Sequence, residues 1–255
     1  MFTTLKKYRF LLSRLVKRDF IQKYKKTTLG VLWSIMSPLC EFFVLVLVFK
    51  NIFGRDTPHY TTYVITGVLC YNFYTNATTQ GMESLLSNGA IMNKIKLPTW
   101  LFPLSKNLSA TLNFLITCVV LTVFMLIDNV AFTWNLLLLP FPVITMFFIN
   151  FGASLILSSL FIFFKDTLYF YHIFNRLLYY CCAIFYTVER FPEAARGLLK
   201  INPVYDFIVY FRTIVIDGAV PSLDLHLWLC GYAAVMMLIG VIVYNCNKNR
   251  FIFYL

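Results

Sequence analysis

Charge is scarce in this chain. Of its 255 residues only 13% are Asp, Glu, Lys or Arg, and just 11 are acidic. A soluble globular domain carries about a quarter charged residues and about half apolar ones. Here the apolar share is 60% and the aromatic share 18%. That excludes a soluble globule and points to an all-α, polytopic membrane protein. Too little chain lies outside the apolar runs for an appended soluble domain, so residues 1–255 read as a single membrane domain. Histidine is also rare. His59, His172 and His226 are scattered, and no paired carboxylates share a face, so a metal-dependent or acid–base enzyme such as a lipid-modifying transferase has little support. The seven cysteines (Cys40, Cys70, Cys118, Cys181, Cys182, Cys230 and Cys246) include no C-x-x-C pair and read as small buried hydrophobes. Neither a disulfide framework nor a zinc site follows. No G-x-x-x-x-G-K-S/T occurs, so the phosphate-cradling loop of an ATPase is absent. The first thirty residues are basic throughout and lack a compact apolar core, which argues against a cleaved leader. Charges inside the apolar runs are too few for the rings or relays of a channel or proton-coupled carrier.

What the chain does have is long apolar runs. A spanning helix needs about 20 predominantly apolar residues, and that yardstick finds six. They cover Trp33–Phe53, Tyr60–Met82, Asn107–Ile127, a fourth inside the uncharged stretch Asn129–Phe164 that opens after Pro140 and Pro142, Thr167–Val188 and Leu227–Asn247. The formal charge of +11 comes from basic residues flanking these runs, which suits membrane topology and anionic lipid head groups rather than nucleic acid. Nine of the 22 basic residues precede residue 30, so the N-terminus is expected in the cytoplasm. Six spans return the C-terminus to the same side.

Three segments are neither spans nor simple loops. Within residues 1–30, Leu5, Tyr8, Leu12, Leu15, Val16, Phe20 and Tyr24 recur at helical spacing opposite Lys6, Arg9, Ser13, Lys17, Arg18, Gln22 and Lys25, predicting an amphipathic helix in the head-group plane. Residues 189–226 are too long for a tight turn and too amphipathic for a linker. Pro192 can start one short helix, and Asn202 with Pro203 can stop it and start another whose apolar side carries Val204, Phe207, Ile208 and Phe211. Both are expected to be re-entrant from the outer face, because backbone at membrane depth must be helical or protein-covered. The third segment, residues 84–106, puts Lys94, Lys96 and Lys106 with Pro98 and Pro103 between the second and third spans, on the expected cytoplasmic side.

The basic N-terminal helix leading into KKTTLGVLWSIMSPL, the segment NGAIMNKIKLP after the second span, FKD after the fourth and the closing INPVYDFIVYFRTIVIDG resemble, in order and spacing, the type-2 ATP-binding-cassette exporter permeases. Within them the chain is similar to the branch that exports lipid-linked polysaccharides: O-antigens, capsules and wall teichoic acids. A small-molecule or drug exporter of the same architecture is the alternative. The resemblance implies two permeases and two ATPase subunits. The permease would be a homodimer with the path between its copies, it would bind no cofactor itself, and ATP and Mg would sit on the ATPase. It also implies that Gly89, Ile91, Asn93, Lys94, Ile95, Lys96 and Leu97 form a short coupling helix against the ATPase. Ile91, Ile95 and Leu97 would give it an apolar side, Lys94 and Lys96 a basic one. Many relatives carry Ser-Pro or Thr-Pro before the aromatic end of the fifth span, whereas this chain has CCAIFYTVERFP, with no proline before Pro192 to break that helix.

Aromatic side chains can stack on sugar ring faces, which makes Tyr71, Phe73, Tyr74, Tyr179, Tyr180, Phe185 and Tyr186 candidate lining groups for a lipid-linked glycan. Of the charges inside the predicted spans, Glu41 and Arg176 are the hardest to dismiss. Arg176 is a candidate attractor for the diphosphate of the lipid carrier, or else it snorkels to the nearer head groups. A charge at the bilayer centre costs about 2.5–3.5 kcal/mol even on lenient scales, so Glu41 calls for water, protein or a counter-charge.

Overall fold

The computed structural model describes residues 2–24, 30–53, 58–92, 97–188, 197, 199, 201–251 and 254. All regular structure among them is helical. In chain order the helices are α1 (Phe2–Tyr24), α2 (Trp33–Phe53), α3 (Tyr60–Ser87), α4 (Gly89–Met92), α5 (Leu101–Ile127), α6 (Pro140–Phe163), α7 (Thr167–Tyr180), α8 (Pro203–Val215) and α9 (Leu223–Asn247). By length and composition, Leu101–Ile127, Trp134–Phe163 and Leu223–Asn247 suffice to cross a membrane.

Local sequence accounts for many boundaries. Pro140 begins α6, where its missing N–H costs nothing. Asn202 caps α8 by accepting from the Val204 amide at 3.0 Å, ahead of Pro203. Ser222 likewise caps α9. Pro103 lies in the first turn of α5, so the third long helix starts at Leu101, six residues ahead of the boundary expected from the apolar run. A proline there needs no partner and does not end the helix.

The central element is α3. Nineteen of its 28 residues are buried, and it packs on α5, α6 and α8. Its threonines, serines and asparagines make it less apolar than the surface-facing α5 and α9. Buried polar groups pair across helices. Asn107 donates to the Ser154 hydroxyl at 2.9 Å, and Ser154 presses on Gly81, where any Cβ would collide with it. α6 and α9 cross through glycine: a Cβ on Gly240 would stand 2.5 Å from the Gly152 carbonyl oxygen, and one on Gly152 would strike the backbone at Met236. Small residues allow such close helix approach in a membrane setting, where lipid supplies no hydrophobic drive to pack helices.

The fifth apolar run departs from expectation. Its helix stops at Tyr180, after 14 residues, and Ala183 takes a left-handed φ of 46°. No proline is involved. Four consecutive carbonyls of the broken segment are taken by side chains instead. Arg212 Nη1 donates to Ala183 O at 3.0 Å and Nη2 to Ile184 O at 3.0 Å. Tyr60 Oη donates to Phe185 O at 3.0 Å and Tyr63 Oη to Tyr186 O at 3.0 Å. The helix breaks there because its backbone acceptors are satisfied by other elements, as buried backbone must be.

Candidate functional site

The Arg212 side chain organises the α8 end of the molecule. It is 7% exposed, and besides the two carbonyls above its Nε and Nη2 donate to Tyr63 O at 3.3 and 3.1 Å, while its guanidinium carbon lies 3.4 Å from the Tyr63 ring centroid. Space for it exists because residue 67 is glycine: a Cβ there would lie 2.7 Å from Nη2. On the same helix Phe207 and Phe211 pack on Phe114, and Phe207 on Phe73. At the other end of α8, Asn135 donates to the Gly218 carbonyl. The apolar side predicted for this helix is buried in full: Val204, Phe207, Ile208 and Phe211 are each at most 1% exposed.

At the opposite end, α1 is fastened by Asp19. Its Oδ1 pairs with Arg18 at 2.9 Å and with Lys106 at 3.1 Å, and Ser105 donates to Oδ2 at 3.4 Å. Arg18 also donates to Asn88 Oδ1 at 2.9 Å, and Asn88 ties itself back to Ser84 O at 2.7 Å. Leu15 joins Leu85, Met92, Phe102 and Leu104 in one buried cluster. One face of α1 therefore rests on protein, at the point where α3 gives way to α4. Of the seven residues expected to touch an ATPase, Gly89 is buried, and Ile91 and Leu97 are half-buried against that same cluster. Their apolar side faces this chain's own core. Asn93, Lys94, Ile95 and Lys96 lie outside the described residues. Beyond them Tyr244 of α9 receives the Trp100 amide at 3.1 Å and bonds the Thr99 hydroxyl, tying the return of the segment to the bundle.

The aromatic candidates other than Phe73, which packs on Phe114 and Phe207 instead, gather between α3 and the α7 segment. Tyr71 and Tyr179 meet edge to face with centroids 4.9 Å apart, Tyr179 reaches Phe185 at 5.5 Å and Tyr180 at 5.7 Å. Tyr71 donates to the Asn175 carbonyl, Tyr186 to the Tyr180 carbonyl, and Tyr171 to Thr78 Oγ1 at 2.5 Å and the Tyr74 hydroxyl at 3.4 Å. Tyr71, Phe73, Tyr74 and Phe185 are buried within this chain, Tyr179 and Tyr186 are half-buried, and Tyr180 is exposed. The cluster thus fastens α7 to α3. Arg176 is exposed on α7.

Glu41 opens onto something the sequence reading did not foresee: a cleft of about 380 Å³ between α2, α3 and α5. Its walls include Trp33, Ser37, Asn72, Asn76, Asn113 and Thr117, and its floor Phe42, Phe73 and Phe114.

Against this geometry the relatives can be placed. The sequence model of the ABC-2 type transporter family matches residues 11–216. The chain belongs to that family. As an ABC-2 family member it is similar along its length to the O-antigen export system permease protein RfbA of Klebsiella pneumoniae, 27% identical over 245 residues, covering 94% of this chain and 93% of the relative. The protein of the same name from Myxococcus xanthus is 22% identical over 249 residues, covering 96% and 95%. A shorter stretch of 86 residues is 28% identical to the capsule polysaccharide export inner-membrane protein CtrC of Neisseria meningitidis serogroup B, covering 33% of this chain and 32% of that one. The ABC-2 match takes in α2 to α8 and most of α1, so the Asp19 anchor, the cleft and the Arg212 clamp all lie inside it.

Proposed function

We propose that this chain is the permease of an exporter that moves a lipid-linked polysaccharide outward across the cytoplasmic membrane, driven by ATP hydrolysis on a separate subunit. The observation that carries this reading is end-to-end similarity, above nine-tenths of both chains, to permeases named for O-antigen export. Two permeases and two ATPases form the working unit, and Mg-ATP binds only to the ATPases. The chain crosses the membrane six times with both termini inside. α7 continues through the clamped break as the fifth crossing, and the segment containing α8 is re-entrant from the outer face. The packing supports that depth: Phe207 near the start of α8 reaches Phe73, thirteen residues along α3 from Tyr60, while Gly218 past its end meets the α5–α6 connection.

The basic end faces the cytoplasm, and Gly89 to Leu97 meets the ATPase through its lysine side, since Ile91 and Leu97 are engaged internally. Asp19, Lys106 and Asn88 would pass the ATPase's displacement to α1, α3 and α5 together. Deleting the gene in its source organism is expected to remove a surface polysaccharide that plasmid-borne wild type restores, and a tagged chain is expected to co-purify with an ATPase. Unchanged surface polymer in the deletion strain would refute the export role. Recovery without any nucleotide-hydrolysing partner would refute the coupling role.

A further inference from the structure

The cleft beside Glu41 has a specific construction. Each of three helices contributes two polar residues four positions apart, and so on one face: Ser37 and Glu41 from α2, Asn72 and Asn76 from α3, Asn113 and Thr117 from α5. Trp33 continues the α2 row one turn earlier, and Phe42, Phe73 and Phe114 lie beneath. Pro38, in the same wall, leaves α2 one backbone donor short where the cleft opens. Among the described residues, Ser37, Glu41, Asn72 and Asn76 make no hydrogen bond or ion pair. Unpaired carboxamides and a carboxylate are too costly to leave against hydrocarbon, where each unsatisfied polar group costs several kcal/mol. The row therefore faces water or a hydrogen-bonding ligand.

Resting on the exporter reading above, we propose that this cleft binds a short stretch of the sugar chain and selects a neutral, hydroxyl-rich polymer over a polyanionic one. A carboxamide both donates and accepts, which matches sugar hydroxyls of either role. The ring faces of Trp33 and the phenylalanines suit the apolar faces of pyranose rings. A volume of about 380 Å³ lies at the small end of ligand sites, about 300–1,000 Å³. Among the described residues that line it, the only charge is negative and none is Lys, Arg or His. A phosphate- or carboxylate-bearing polymer would meet Glu41 with no compensating cation, and like charges at close range in a low-dielectric site repel strongly.

The test uses the deletion strain of the previous section, complemented with the full chain and its ATPase, with surface polymer measured per assembled complex. Asn72→Ala/Asn76→Ala and Glu41→Lys are each expected to lower export at least tenfold at equal complex abundance. Glu41→Gln, which keeps hydrogen bonding but removes the charge, is expected to lower export less than Glu41→Lys does. Polymer from wild-type cells is expected to contain neither phosphate nor uronic acid. Wild-type export by the Asn72→Ala/Asn76→Ala and Glu41→Lys variants, or an anionic polymer, would overturn the cleft's role while leaving the exporter reading intact. So would a fall in export only in proportion to lost complex, the mark of a packing role. If deletion of the whole chain spares the surface polymer, the exporter reading itself fails.

Discussion

At the α1 end of the molecule, buried Asp19 is held by two cations, Arg18 and Lys106, both of which keep some contact with solvent. At the α8 end, buried Arg212 has no carboxylate within bridging distance among the described residues and is held by backbone carbonyls and an aromatic ring. The difference lies in what remains when the charge is removed. Loss of Asp19 leaves cations that water can reach. Loss of Arg212 leaves the Ile184 carbonyl without a donor and the Ala183 carbonyl with only a 3.4 Å bond from the Tyr63 hydroxyl, in the interior, where an unsatisfied acceptor costs about 1–3 kcal/mol. The first charge fastens one helix onto others. The second makes a helix break possible at all.

The largest effect is therefore expected from Arg212→Met, which keeps apolar bulk but supplies no donor. It should cost about 1–3 kcal/mol for each carbonyl left short of a donor, together with the lost contact on the Tyr63 ring, and appear as a marked loss of folded protein in membrane extracts. Wild-type yield would mean that the break is held by something else. Gly67→Ala comes next. The added methyl would stand 2.7 Å from Nη2 of Arg212, and such overpacking typically costs about 1–3 kcal/mol. A lowered melting temperature of the detergent-solubilised protein would show it, and combination with Arg212→Met should be less than additive because the two act on one contact. Asp19→Asn is expected to be milder, about 1–2 kcal/mol given partly solvated partners. It should reduce transport per assembled complex more than it reduces abundance. Equal losses in both would make the anchor purely structural.

Much of the scaffold could be read directly from the chain. The stretch Trp33–Phe53 was legible because apolar length alone decides it, and Pro140 and Asn202–Pro203 mark helix starts through chemistry carried by those residues. The end of α7 was not. The run Thr167–Val188 is apolar and proline-free, and the groups that stop its helix arrive from Tyr60 and Tyr63, more than a hundred residues away, and from Arg212, 28 and 29 residues away. Asp19 was hidden for a related reason. An aspartate among lysines and arginines reads as part of a polar face until Lys106 and Ser105 are packed against it. The paired spacing of Ser37 and Glu41, Asn72 and Asn76, Asn113 and Thr117 was present in the sequence, but nothing in one helix says that the three rows line one cleft. Family membership was also legible, through short motifs in a fixed order.

Composition and apolar periodicity by themselves determined that this chain lives in a membrane as a helical bundle, and roughly where most helices run, because those outcomes depend on free energies summed over many residues. Which backbone carbonyls Arg212 would satisfy, where the fifth helix would stop and which polar rows would share a cleft were decided only in three dimensions. Each of those depends on single directional contacts between residues distant along the chain, and no local window contains both partners.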